Sequence, residues 1–229
     1  MVAVIGDIHG CYNTLKALVE QIRKKYPGIM IYSVGDLIDR GNFSYEVIEY
    51  MIKENIPFTP GNHDFMFYFF INFPSSPMGN SWLFNGYENT IQSYEGKEKK
   101  IKEHLEIIEK APLFFNLEDC FISHAGISKN YKSKLPDNFL SNEESLSKFL
   151  ADDLTESYSI IWTRGELLNI GKLQVVGHTR MNEAIYNQSS NALYIDTSIY
   201  SGNKLTSAIS ENNKLIEMLS EKTFPEDIK

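Results

Sequence analysis

Positive charge is scarce in this chain. Its 229 residues hold 22 Lys and Arg against 30 Asp and Glu, a net charge of −8. A surface of that sign repels polyanions, so long nucleic acid is excluded as a partner held on a general basic face. A small anionic substrate has to be drawn in by local cations, and bound metal ions are the strongest of those. Cysteine is scarcer still. Cys11 and Cys120 are the only two, too few for a disulfide framework, and both are expected as reduced thiols of a cytoplasmic protein. No apolar run approaches the ~18–20 residues of a membrane span, so no membrane partner is expected. The opening residues, Met1-Val2-Ala3-Val4-Ile5-Gly6-Asp7, lack the basic leader and long apolar stretch of a secretory signal. Repeats and low-complexity tracts are also missing. Apolar material is plentiful: 42% of residues are hydrophobic and 13% aromatic, which is enough for a core and excludes whole-chain disorder.

The apolar residues follow two alternating periods. Val2 to Ile5 is a short run stopped by Gly6. Leu15, Leu18, Val19, Ile22 and Tyr26 then recur at helical spacing, with Asn13 expected as N-cap and Pro27-Gly28 as terminator. Ile29 to Val34 reads as a second buried strand, again stopped by a glycine, Gly35. Val47, Ile48, Met51 and Ile52 mark a second helix, and Pro57 to Pro60 a weak third strand running into Gly61. Such strand–helix alternation predicts a βαβαβ start with parallel strands. Residues 72–96, rich in Pro, Gly and aromatics, read as an excursion with short helices, a lid over the site. Residues 97–110 predict a charged helix with Ile101, Leu105 and Ile108 on one face and His104 in solvent. The stretch 128–158 is polar, helical or looped. Strands are expected at 113–117, 119–123, 173–177, 184–188, 192–196, 204–209 and 214–218. The expected fold is α/β, a two-layer β-sandwich of mixed sheets flanked by helices. It forms a single domain over 1–220, with a frayed tail over 221–229.

Five polar clusters stand where strands end. They are Gly6-Asp7-Ile8-His9-Gly10, Gly35-Asp36-Leu37-Ile38-Asp39-Arg40-Gly41, Gly61-Asn62-His63-Asp64, Ser123-His124-Ala125-Gly126 and Gly177-His178-Thr179. Alone, each admits a plain reading: loop caps, a surface turn with an Asp–Arg pair, turn residues, or a hydrogen-bonded loop histidine. Together they are hard to treat as coincidence. Four of the five histidines follow a strand end beside a glycine, and ligands of one site gather at strand C-terminal ends in α/β sheets. Asp and His two apart share a strand face. Carboxylate, amide and imidazole donors without thiolate suit two divalent metals sharing a carboxylate.

The ordered set GDIHG, GDLIDRG, GNHD, HAG and GH resembles the calcineurin-like metallophosphoesterase superfamily. Within it, Asp39 and Arg40 after Asp36 resemble the phosphoprotein phosphatase family, which includes compact bacterial and phage serine/threonine phosphatases and symmetrical diadenosine tetraphosphatases. The likeness runs from residue 2 to about residue 209. It takes in Asn85-Gly86 with Thr90 to Tyr94, Ile161-Trp162-Thr163-Arg164, and Ile195-Asp196-Thr197. It implies that Asp7 and His9 bind a first metal and that Asp36 bridges to a second, completed by Asn62, His124 and His178. Arg40 and Arg164 would clamp phosphate oxygens, and His63, oriented by Asp39, would be the general acid. The implied cofactors are two divalent ions, Mn first and Fe or Zn as alternatives. The implied reaction is attack on phosphorus by a metal-bridging hydroxide. The implied substrate is a phosphoprotein carrying phosphoserine, phosphothreonine or phosphotyrosine, with a dinucleoside polyphosphate as the alternative. Two positions depart from the pattern. Asp64 stands where the phosphatases carry Glu, and little effect is expected of a residue that is not a ligand. Arg180 stands where many other metallophosphoesterases, nucleases included, carry a second histidine, which argues against a nuclease. Every implied ligand is present, which argues against a catalytically silent binding module. Cys11, near the site, is expected to be oxidisable.

Overall fold

A computed structural model describes residues 1–229. Its strands are β1 (Val2–Ile5), β2 (Met30–Ser33), β3 (Phe114–Asn116), β4 (Phe121–Ser123), β5 (Gln174–Val176), β6 (Ile185–Asn187), β7 (Ala192–Tyr194), β8 (Lys204–Glu211) and β9 (Lys214–Lys222). Its helices are α1 (Tyr12–Lys25), α2 (Ser44–Lys53), α3 (Asn62–Asn72), α4 (Pro77–Trp82), α5 (Glu88–Ser93), α6 (Lys99–Lys110) and α7 (Glu143–Asp152). One sheet runs β2-β1-β8-β9 and the other β3-β4-β5-β7-β6. Both are mixed. β1 is parallel to β2 and antiparallel to β8, while β4, β5 and β7 are mutually parallel with antiparallel strands at the edges. The expected sandwich of mixed sheets with outer helices is therefore the observed one.

The two-residue period of β1 shows why it is a sandwich. Val2 and Val4 join Ile122, Val175, Leu193 and Ala208 in a cluster drawn from strands of both sheets. Ala3 and Ile5 join Leu15, Leu18, Val19 and Ile22 of α1 in the larger core. Successive side chains leave a strand on opposite faces, so a strand apolar at every position is covered on both.

Several expectations are corrected. Residues 57–60 form a single parallel bridge, Ser33 to Phe58, and no strand. Pro57 and Pro60 carry no N–H to extend a ladder. Asn13 lies inside α1, not at its cap. The N-terminal turn is closed by Asp227 instead, whose Oδ1 accepts Asn13 N–H at 3.0 Å and whose Oδ2 accepts Thr14 N–H at 2.9 Å. Residues 221–229 are accordingly not frayed: β9 reaches Lys222 and Asp227 is fully buried. His104 is also fully buried. Its Nε2 lies 2.8 Å from Glu49 Oε1 and its Nδ1 2.6 Å from the Tyr94 hydroxyl. It lies three residues after Ile101 and four before Ile108, on the apolar face of α6. Cys11 is buried as well, and burial pushes its thiol up, so it is not the oxidisable group expected.

Candidate metal centre

The polar clusters meet at the C-terminal ends of β1, β2, β4 and β5, in a cavity of about 530 Å³. Asp7, Asp36, Asn62, His63 and His178 line it together with Arg40 and Arg164. His9, His124 and Asp39 are fully buried immediately behind. All ten residues singled out from the sequence thus come together.

Tight backbone makes this convergence possible. His9, Asp36, Asp39, Arg40 and His178 have φ of 46°, 50°, 71°, 72° and 61°. Non-glycine residues adopt this left-handed region at a cost, and such strain concentrates at functional sites. Glycines admit the closest approaches. A Cβ on Gly177 would lie 1.9 Å from Asp7 Oδ1, and one on Gly61 2.0 Å from Asp36 Oδ1. Asp64 ties two loops together, accepting Gly61 N–H at 2.8 Å and Leu37 N–H at 3.0 Å. It is buried structure between ligand loops, consistent with a residue that is not itself a donor to the site.

Three imidazoles have one nitrogen fixed by a backbone carbonyl. His9 Nδ1–H donates to Ile38 O at 2.9 Å, His124 Nδ1–H to Val34 O at 2.9 Å, and His178 Nε2–H to Trp162 O at 3.0 Å. These hydrogen bonds assign the tautomers. The nitrogens left over are lone pairs turned inward. His124 Nε2 faces Asn62 Oδ1 at 3.1 Å and Asp36 Oδ2 at 3.5 Å, and His178 Nδ1 faces the same amide oxygen at 2.8 Å. Acceptors converge there without a donor among them, an arrangement that a cation satisfies. Asp36 is placed to serve two such points. Its Oδ1 accepts His63 N–H at 2.9 Å, and its Oδ2 lies 3.7 Å from His9 Nε2 and 3.5 Å from His124 Nε2. Burial drives the His9, His124 and His178 imidazoles well down or down, toward the neutral form that binds metal. Burial, together with the Asp196 and Asp36 carboxylates, pushes Asp7 up, and burial does the same to Asp196. Crowded, buried carboxylates of this kind call for a counter-charge. The donor set fits divalent metal.

Two groupings bring their donor atoms within 4.8 Å of one another: Asp7, Asp36 and His124, and His9, Asp36 and His63. The second adds His63, which also makes a 2.7 Å hydrogen bond from Nδ1–H to Asp39 Oδ2. Trp82 Nε1–H, at 3.0 and 2.9 Å from the two oxygens, and Thr90 Oγ1–H, at 2.7 Å, complete the shell of Asp39. Arg40 Nη1–H donates to His9 Nε2 at 2.7 Å, and its guanidinium stacks 4.2 Å from the Tyr200 ring centre. The Asn85-Gly86 turn carries the Arg40 backbone, Gly86 O accepting Arg40 N–H at 2.9 Å.

Other residues of this site were given no role from the sequence. Asp196 and Tyr200 line the pocket, and Trp82 and Thr90 hold Asp39. Asp196 follows β7 as Asp7 follows β1, but no glycine precedes it to mark the spot. The aromatics of 82–94 do not form a wall of the pocket: Trp82 and Tyr94 are core, and Asn85 is the lining residue from that stretch.

Residues 1–204 match the calcineurin-like phosphoesterase family. The chain belongs to that family. It is a metal-dependent phosphoester hydrolase, as the inward-facing donor set requires. Among calcineurin-like phosphoesterases, it is 28% identical over 228 residues to a bis(5'-nucleosyl)-tetraphosphatase PrpE, of the asymmetrical kind, from Anoxybacillus flavithermus, covering 89% of this chain and 87% of that one. A protein of the same name from Halalkalibacterium halodurans is 32% identical over 147 residues, 56% of this chain and 57% of the relative. The name specifies asymmetrical cleavage, where the motifs resemble the symmetrical enzymes. Among solved structures, the cold-active protein-tyrosine phosphatase of a psychrophilic Shewanella species superposes with a TM-score of 0.67 at 20% identity, over 97% of this chain and 80% of that one. A protein serine/threonine phosphatase of Saccharomyces cerevisiae gives 0.53 at 15% identity, over 97% and 79%. Both likenesses show the fold.

Proposed function

We propose that this pocket hydrolyses a dinucleoside polyphosphate, using two divalent cations held by Asp7, His9, Asp36, Asn62, His124 and His178. The carrying observation is the convergence of His124 Nε2, His178 Nδ1 and Asn62 Oδ1 lone pairs beside Asp36 Oδ2, in a pocket lined by Arg40 and Arg164. Cations bound there would supply Lewis acidity and activate water at neutral pH. The ligand set, free of sulfur, favours Mn²⁺, with Fe or Zn as alternatives.

The chain's own groups supply the rest. Arg40 and Arg164 present planar forks that match phosphoryl oxygens and keep their charge throughout. Asp39 accepts the Nδ1–H of His63 and fixes the tautomer, so that protonated His63 delivers its Nε2 proton to the leaving oxygen. The relatives that align over most of the chain favour the nucleotide substrate. A phosphoprotein substrate is the second reading. It is favoured by the fold shared with solved protein phosphatases, whereas Phe84, 86% exposed beside the pocket-lining Asn85, offers the stacking face a dinucleotide would use.

The test is a side-by-side assay of diadenosine tetraphosphate and a phosphoserine peptide, on chelator-treated protein before and after Mn²⁺. Tetraphosphate turnover that appears only with metal is expected. Full activity without metal refutes the metal-dependent mechanism, and preferential peptide turnover moves the assignment to the second reading.

A further inference from the structure

Arginine is rare in this chain and very unevenly placed. There are four. Arg23 pairs with Glu54, the one arginine–carboxylate pair in the molecule. The other three, Arg40, Arg164 and Arg180, line the same cavity. A chain with eight excess negative charges leaves three guanidiniums unpaired in one place, where only an anion can use them. Arg40 and Arg164 already account for the oxygens of one transferring phosphoryl group. Arg180 is surplus to that reaction.

Its setting gives it a use. Arg180 follows the His178 loop directly and is exposed. It donates a hydrogen bond to the Tyr200 hydroxyl, and its guanidinium carbon lies 5.4 Å from the Tyr200 ring centre. The same ring lies 4.2 Å from the Arg40 guanidinium. One tyrosine thus attracts two like charges through its π-system and hydroxyl, where a carboxylate would have neutralised them. One Nη1–H of each guanidinium is engaged, by His9 and by the Tyr200 hydroxyl, and the remaining N–H donors of both forks are left to a ligand. The cavity of about 530 Å³ is of the size that takes a whole small molecule, and it has room beyond a single phosphoryl group.

We propose that Arg180, held by Tyr200, binds a second phosphoryl group of the substrate beside the one held by Arg40 and Arg164, and so selects phosphate chains over simple monoesters. This rests on the phosphohydrolase reading above and names the residues that set its substrate class. A monoester occupies the reactive position and leaves Arg180 in water. A chain of linked phosphates carries its next charge to Arg180.

The experiment uses the Mn²⁺-loaded protein with free Mn²⁺ held constant, and nitrophenyl phosphate as reporter. Orthophosphate and tripolyphosphate are compared as competitive inhibitors of wild type, Arg180→Ala and Tyr200→Phe. Tripolyphosphate should inhibit the wild type about ten-fold or more below orthophosphate, the change expected of one added hydrogen bond to a charged group. Arg180→Ala should collapse that ratio towards unity, chiefly by weakening tripolyphosphate, and Tyr200→Phe should reduce it part-way. Calorimetric titration of both anions into the same proteins should give the same order of affinities. Equal weakening of both anions by Arg180→Ala would put Arg180 on the reacting phosphoryl group and overturn the proposal. No change in either anion would overturn it too. A wild type that leaves diadenosine tetraphosphate intact but keeps the tripolyphosphate preference defeats the dinucleotide reading and supports the subsite.

Discussion

Replacing Trp82 with Phe removes one N–H from the middle of the molecule while keeping an aromatic ring. The indole is fully buried, with ring centres 4.8 Å from Phe67 and 5.0 Å from Phe70. Its Nε1–H reaches both oxygens of Asp39. That carboxylate has two other side-chain donors, His63 and Thr90. Burial pushes Asp39 up, and the three donors work against it. A hydrogen bond to a charged group is worth about 1.5–3 kcal/mol. With each kcal/mol shifting the midpoint of a protein this size by about 2–4 °C, Trp82→Phe should melt roughly 3–12 °C lower. The loss should reach catalysis through His63. With Asp39 held by fewer donors, the imidazole is held less firmly, and substrates whose leaving group needs a proton should suffer most. Phosphoserine peptide turnover should therefore fall more than nitrophenyl phosphate turnover. Thermal melts and the ratio of the two kcat values, both on Mn²⁺-loaded protein, measure the two effects separately. A melt within about 1 °C of wild type would refute the energetic argument. A lower melt with an unchanged ratio would make the indole purely structural.

His63→Ala should cut turnover of a poor leaving group by ~10²–10⁴-fold, far more than that of nitrophenyl phosphate, with metal content unchanged. Loss of metal would place His63 among the ligands, as its proximity to His9 and Asp36 allows. Asp36→Asn should loosen both cations whereas Asp7→Asn should chiefly weaken one; two tightly held metals per Asp36→Asn chain, by elemental analysis, would refute the bridging role. Stability should fall in acid partly through His104, whose imidazole burial holds down against the opposing Glu49 contact. The unfolded chain takes the proton first, so stability is full above pH ~7 and is lost as pH falls through about 6.5. Urea midpoints of His104→Gln should depend less on pH between 7 and 5, and an identical slope would dismiss His104 as a contributor.

Four of the five ligand loops were legible because a glycine marked them: Gly6, Gly35, Gly61 and Gly177 stand directly before Asp7, Asp36, Asn62 and His178. Close approach forbids a Cβ at Gly61 and Gly177, so packing at the site leaves a mark in the sequence. Asp196 and Tyr200 approach from a segment without such a mark. The contacts of Trp82 and Asp227 are long-range and polar: an indole on a carboxylate 43 residues away, and a carboxylate capping a helix 213 residues earlier. Neither has a periodic signature. His104 was misjudged because Lys102, Glu103 and Glu106 surround it in sequence, while Ile101, Ile107 and Ile108, one helical turn away, are apolar. Period, not adjacency, decides what a helix buries.

The strand that leads into Asp7 and His9 is made first and finished late. β1 lies between β2 and β8, with Val2 opposite Ser210 and the Gly6 N–H held by Thr206 O at 3.0 Å. Synthesis therefore lays down the first ligands long before the neighbour that fixes their backbone. A chain stopped short of residue 204 would carry Asp7 and His9 just past a strand with one side bare, and a bare edge pairs with whatever strand it meets. Protection from aggregation and completion of the pocket reach the growing chain together, with β8.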